Sequence, residues 1–218
     1  MSAIFRLDRA RAVLADANGR RFDAPRRVWL TGEAAAPGHD AGATAEALDA
    51  IAAATWLQRE SGHPLRVPVG VVGPREASSA QLAVATQVGA LLAGCGFAVI
   101  CGGRHGIMQA ACEGVARHGG VAIGLLPDAD PSLANPFVSI ALATGIGEAR
   151  NALIARAALC LIAIGDSFGT LSEIALGRQF GKLVIGLEGA AQVEGVHHVG
   201  SARAAVAMAA ELALGITR

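Results

Sequence analysis

Apolar residues fall along this chain in two rhythms, short unbroken runs and longer stretches that repeat every three to four positions. The runs at 67–72, 97–101, 121–125, 137–142, 159–164 and 182–187 have strand length, and 196–199 adds a candidate edge strand. Unbroken runs of this kind suit strands covered on both faces. Between and after them, 78–93, 105–117, 146–157, 170–179 and 202–214 carry the helical rhythm. Ser78 and Gln81 stand at capping-box spacing, and Ser201 caps the last helix. Pro68 stands near the start of its strand, where a missing N–H is tolerated. Strand–helix alternation predicts an α/β fold with a mostly parallel, doubly wound sheet and flanking helices.

The first third of the chain has another pattern. Two short stretches, 12–16 and 20–23, flank Asn18-Gly19, a hairpin signal. A Gly/Pro/Ala loop follows from Thr31 to Ala43. From Thr44, Leu48, Ile51, Ala52, Thr55 and Trp56 recur on one helix face, closed by Ser61-Gly62 and Pro64. The expected division is an appendage of hairpin, loop and helix at 1–66 and a ligand-binding domain at 67–218.

Composition narrows the function classes. The 218 residues are 53% hydrophobic but only 4% aromatic, which predicts an Ala/Val/Ile/Leu core. Eighteen basic and eighteen acidic residues balance to a net charge of +0, so nucleic acid and acidic membranes are not expected partners. Arg6, Arg9, Arg11, Arg20 and Arg21 offer either a weak anion patch or, the preferred reading, a solvated face. Cys95, Cys101, Cys112 and Cys160 lack metal-ligand spacing and read as buried thiols of a cytoplasmic protein. His197-His198 in an extended segment point to opposite faces, so no shared metal is expected. No apolar run reaches the roughly 20 residues of a membrane span.

Two strand–glycine–helix junctions carry the candidate chemistry. One is Cys101-Gly102-Gly103-Arg104-His105-Gly106 with Met108 behind it; the other is Gly165-Asp166-Ser167-Phe168-Gly169-Thr170. Glycines let backbone approach a ligand, and a helix start offers free N–H groups to phosphate. Neither junction is a dinucleotide fingerprint or a P-loop, and Gly73 after the first parallel strand completes neither motif. Thr170 and Glu173 also stand at capping-box spacing. Glu173 is therefore either a helix cap or a cleft carboxylate for proton transfer. Arg150 and Asn151 open another helix, where Arg150 either serves the surface or looks over the strand ends.

These segments resemble the Rossmann-like family that includes the LOG phosphoribohydrolases (formerly "lysine decarboxylases") and the molybdenum-cofactor carrier proteins. The family's G-G-G-x-x-G-x-M appears as Cys101-Gly102-Gly103-Arg104-His105-Gly106-Ile107-Met108, and its P-G-G-x-G-T-x-x-E as the stretch ending in Gly169-Thr170-Leu171-Ser172-Glu173. The resemblance covers roughly 67–214. In its hydrolases an Arg-Lys pair precedes the glutamate by 23 positions, as Arg150 precedes Glu173 here, with Asn151 in the lysine's place. It implies Arg150 and Glu173 as the catalytic pair of a hydrolase. It implies Gly73, Gly102, Gly103, Arg104, Gly106, Met108, Asn151, Gly165, Asp166, Ser167, Gly169 and Thr170 around a phosphorylated ligand.

Two departures, Asp166 within the glycine turn and the lost lysine, weaken hydrolysis more than binding. The favoured expectation is a homodimeric protein that binds a nucleotide or a molybdopterin-type ligand. A nucleoside 5′-monophosphate N-glycosidase, which needs no cofactor, is the alternative. A dimeric interaction protein with a vestigial site is the third. Decarboxylation is not expected, because the sole lysine, Lys182, opens a strand.

Overall fold

The structure, a computed structural model, describes residues 5–31 and 45–216. The predicted Gly/Pro/Ala loop after Thr31 lies outside the described residues. Two compact units make up the chain, one from residues 1–65 with 210–218 and the other from 66–209.

The first unit holds a five-stranded sheet in the order β4-β3-β2-β1-β5, built from β1 (Phe5–Asp8), β2 (Val13–Asp16), β3 (Arg21–Asp23), β4 (Val28–Leu30) and β5 (Glu46–Leu48). The Asn18-Gly19 turn joins β2 to β3 as expected. Asp16 fastens it, accepting from the backbone N–H groups of Asn18 and Arg20 at 2.9 Å each and from Arg20 Nε at 2.7 Å. Phe5 and Phe22 pack against Trp29, with ring centroids 5.9 and 5.1 Å apart, and the indole N–H donates to the Leu214 carbonyl at 2.7 Å. The helix expected from Thr44 begins later. Glu46–Leu48 pairs antiparallel with β1, and α1 runs Ala50–Arg59 with Asp49 as its cap. Strand pairing outweighs the helix propensity of Glu-Ala-Leu there. Arg9, Arg11 and Arg20 each form ion pairs with carboxylates of this unit, in keeping with a solvated face rather than an anion patch.

The second unit is a seven-stranded parallel sheet in the order β12-β11-β10-β6-β7-β8-β9. Its strands are β6 (Val69–Val72), β7 (Val99–Cys101), β8 (Ala122–Leu126), β9 (Ile140–Ala143), β10 (Leu161–Ile164), β11 (Val184–Leu187) and β12 (Val196–His198). Its helices are α2 (Ser79–Cys95), α3 (Ile107–Arg117), α4 (Asn151–Ala157), α5 (Phe168–Gln179) and α6 (Ala202–Ala213), whose end from Ala210 groups with the first unit. This is the Rossmann-like doubly wound fold. Strands β6 and β10 are fully buried, as their unbroken apolar runs require.

Helix α2 starts with the predicted Ser78–Gln81 capping box. Its all-round apolarity is largely absorbed by α3. A Cβ on Gly89 would lie 2.1 Å from the Ala111 carbonyl oxygen, and one on Gly114 would lie 2.0 Å from that of Thr86. The two backbones meet through these glycines. The helix expected at 146–157 is instead a 3-10 turn, Gly147–Arg150, followed by α4.

The winding reverses beside β6. From β6 the chain moves outward through β7, β8 and β9, then returns to place β10 on the other side. Ligands of open parallel sheets sit at such switch points, beyond the carboxyl ends of the strands.

Candidate functional site

A cleft of about 580 Å³ lies at that reversal, lined by the turn after β6 (Gly73–Glu76), by Met108, by Glu148, Arg150 and Asn151, and by Asp166–Thr170 with Glu173. Its size is in the range of small-molecule sites. Both glycine junctions therefore contribute to one cleft, in different ways.

The second junction faces it directly. Helix α5 begins at Phe168, two residues before the expected cap. Ser167 is its N-cap, accepting from the Thr170 N–H at 3.1 Å, while the two hydroxyls lie 2.9 Å apart. The capping-box reading of Thr170 and Glu173 is thereby corrected: Thr170 is the third helical residue, and Glu173 lies one turn in. Both are buried. Ser167, a candidate site residue, is the cap instead, and its hydroxyl three positions before Thr170 is the signal for it.

Arg150 is buried as well, not at the surface. Its Nη1 donates to Glu173 Oε1 at 3.4 Å and to the side-chain oxygen of Asn151, whose Nδ2 donates to Ser172 Oγ at 2.8 Å. Asn151 thus ties the start of α4 to α5 where the family motif carries lysine. The Arg150 Nε is buried without a hydrogen-bond partner. Burial raises the Glu173 carboxyl to about 8, against the lowering effect of Arg150 and with a smaller upward push from Glu148. At neutral pH it holds a proton.

The first junction underlies the cleft. A Cβ on Gly102 would lie 2.7 Å from both Arg150 Nη2 and Met108 Sδ, so glycine there lets the guanidinium rest on the backbone. The buried Asn135 clamps the loop, its backbone N–H donating to the Gly103 carbonyl and its Nδ2 to the carbonyls of Gly103 and Arg104, at 2.9–3.2 Å. Gly106 precedes α3, whose first amide, Ile107, donates to the Pro74 carbonyl at 3.1 Å. The first amide of that helix is thus taken by the protein. Arg104 pairs with Asp128 at 2.9 Å and does not line the cleft, and Gly165, at the end of β10, packs against Gln81.

Five lining residues are not among the candidate site residues of the sequence: Pro74, Arg75, Glu76, Glu148 and Phe168, the last lying within the second junction. Glu148 spans two arginines, with Oε1 3.5 Å from Arg75 Nη2 and Oε2 3.9 Å from Arg150 Nη2. Together with Glu76 and Asp166, these residues give the cleft more carboxylates than guanidinium groups. Among the described residues, no group of three His, Cys, Asp or Glu side chains is placed to hold a metal, and no helix is long and apolar enough to cross a membrane. All four cysteines are buried thiols, none of them in a disulfide.

The model of the SLOG cluster4 family (LDcluster4) matches residues 66–213, and the chain belongs to that family. An uncharacterized protein of Archaeoglobus fulgidus is 37% identical over 128 residues, which span 59% of this chain and 84% of that one. Among solved structures, the molybdenum cofactor binding protein of Rippkaea orientalis is similar with a TM-score of 0.62 and 32% identity, covering 66% of this chain and 96% of that one. The molybdenum cofactor carrier protein of Chlamydomonas reinhardtii has a TM-score of 0.62 and 31% identity, over 67% and 98%. This is the family to which the two glycine junctions point.

Proposed function

We propose that the chain binds a phosphorylated small molecule, a nucleotide or a molybdopterin-type ligand, in the cleft at the sheet reversal. The observation that carries this is the start of α5 opening into the same cleft as Arg150. Phe168 and Gly169 bear the first amides of that helix, which have no acceptor within it and suit phosphate oxygens. Arg150, held by Asn151 and Glu173, supplies the positive charge without a lysine. The likeness to proteins named for binding or carrying molybdenum cofactor supports a carrier over an enzyme. A homodimer belongs to this reading, because Ile146, Leu153 and Leu171 stay exposed on or beside α4 and α5. Calorimetric titration with a nucleotide and pterin panel, beside light scattering, tests both parts. Absence of binding across the panel refutes the site, and a monomer mass at micromolar concentration refutes the dimer.

One observation favours a second reading, an N-glycosidase acting on nucleoside 5′-monophosphates. Glu173 is protonated at neutral pH and touches Arg150, an arrangement able to hand a proton to a departing base while water adds to the ribose. Release of free base by the wild type and its loss in Glu173→Gln would establish turnover. Full release by the variant would exclude the catalytic role.

A further inference from the structure

Phe168 stands apart from the other aromatic residues. The chain has six phenylalanines and two tryptophans. Phe5, Phe22, Trp56 and Phe97 are buried, Phe137 is half-buried, Trp29 packs between two rings, and Phe180 carries the Arg156 guanidinium 3.6 Å above its face. Phe168 is 94% exposed and lines the cleft as the first residue of α5. A phenyl ring left in water forgoes roughly the full transfer free energy of a large apolar side chain. Nothing about capping requires an aromatic here, since Ser167 already serves that role.

The charges nearby bear on what the ring is for. Arg75 and Arg150 both face Glu148, and Glu76 and Asp166 add further negative charge to the lining. A bare sugar phosphate therefore meets guanidinium groups already shared with a carboxylate. Selectivity has to come from another part of the ligand, and the ring face is the large apolar surface the cleft leaves open to solvent. We propose that Phe168 is a stacking platform, so that the cleft selects ligands in which a planar nitrogen heterocycle is joined to the phosphate and discriminates against sugar phosphates lacking a ring. Stacking on a side chain at the first position of α5 places the heterocycle at the mouth while the phosphate lies against the following amides. This rests on the phosphate-ligand reading above and assigns the group that sets its selectivity.

The test compares adenosine 5′-monophosphate with ribose 5-phosphate as calorimetric titrants of wild type, Phe168→Ala and Phe168→Trp, with light scattering of each protein. The expected result is tighter binding of the nucleotide than of the sugar phosphate by wild type. Phe168→Ala loses on the order of tenfold in nucleotide affinity and leaves ribose 5-phosphate unchanged. Phe168→Trp keeps nucleotide affinity, and the new indole is quenched on binding. Equal loss for both titrants in Phe168→Ala, or no loss for either, overturns the platform while leaving the phosphate site standing. A fall in mass with nucleotide affinity intact also overturns it, by assigning the ring to an interface between copies. Wild type that binds neither titrant overturns this inference, and absence of binding across the nucleotide and pterin panel overturns the underlying reading with it.

Discussion

Replacing Glu173 by Gln removes a titrating carboxyl from the cleft at almost constant shape. The consequence for stability follows from burial. The carboxyl, only 6% exposed, is raised from 4.5 to about 8, although Arg150 lies 3.4 Å away. Between those two values the folded chain keeps a proton that the unfolded chain has released, so stability falls as pH climbs through this window. It is fully present below about 4.5 and lost above about 8. At ~1.4 kcal/mol per pH unit, the shift corresponds to on the order of 4–5 kcal/mol. Gln does not titrate and still presents an oxygen to Arg150. The two proteins should therefore have similar stability at pH 5, with the variant more stable by several kcal/mol at pH 9. In thermal scans this is a separation on the order of 10 °C that opens with pH. Urea unfolding of both proteins at half-unit steps from pH 5 to 9 measures it, and titrating groups not coupled to Glu173 cancel in the difference. Parallel profiles, or a wild type that gains on the variant as pH rises, would refute the buried, proton-holding Glu173.

Gly89→Ala should destabilise the second unit by roughly 1–3 kcal/mol despite a better helix former, because its Cβ would meet the Ala111 carbonyl oxygen at 2.1 Å; urea midpoints equal to wild type would show that α2 and α3 can part freely. Ser167→Ala should cost roughly 0.5–2 kcal/mol through loss of the α5 cap, read in the same assay. Glu148→Gln removes a carboxylate 3.5 Å from Arg75 and 3.9 Å from Arg150, and should tighten orthophosphate binding roughly three- to fivefold at low salt, with a smaller gain at high salt. Unchanged affinity in calorimetry would remove Glu148 from the anion's surroundings.

Most of the fold could be read from the sequence because its signals are local. Buried parallel strands such as Leu161–Ile164 need continuous apolar residues, and Ser78 with Gln81 or Asn18 with Gly19 fix a helix start and a turn without distant partners. The errors arose where a local signal had a rival. Glu46-Ala47-Leu48 carries helix-forming residues but is claimed by β1 across the sheet. Thr170 and Glu173 have capping-box spacing, yet Ser167 starts the helix earlier and frees Glu173 for Arg150. Arg150 and Glu173 were legible as a pair only through the family resemblance, whose hydrolases hold the same 23-residue separation. Glu148 was not, since its significance depends on Arg75, which a different strand delivers to the same cleft. The same holds for Asn135, which braces a loop about thirty positions earlier.

The hydrogen bond from Trp29 to Leu214 joins segments 185 positions apart and so bears on when the first unit can be completed. Residues 210–218 complete a unit otherwise made by residues 1–65, and the whole parallel sheet is translated in between. The indole acquires its carbonyl acceptor only after the intervening parallel sheet has been translated. Until then the Phe5–Phe22–Trp29 cluster lacks this tie, so the first unit is completed only after the strands of the second have been made.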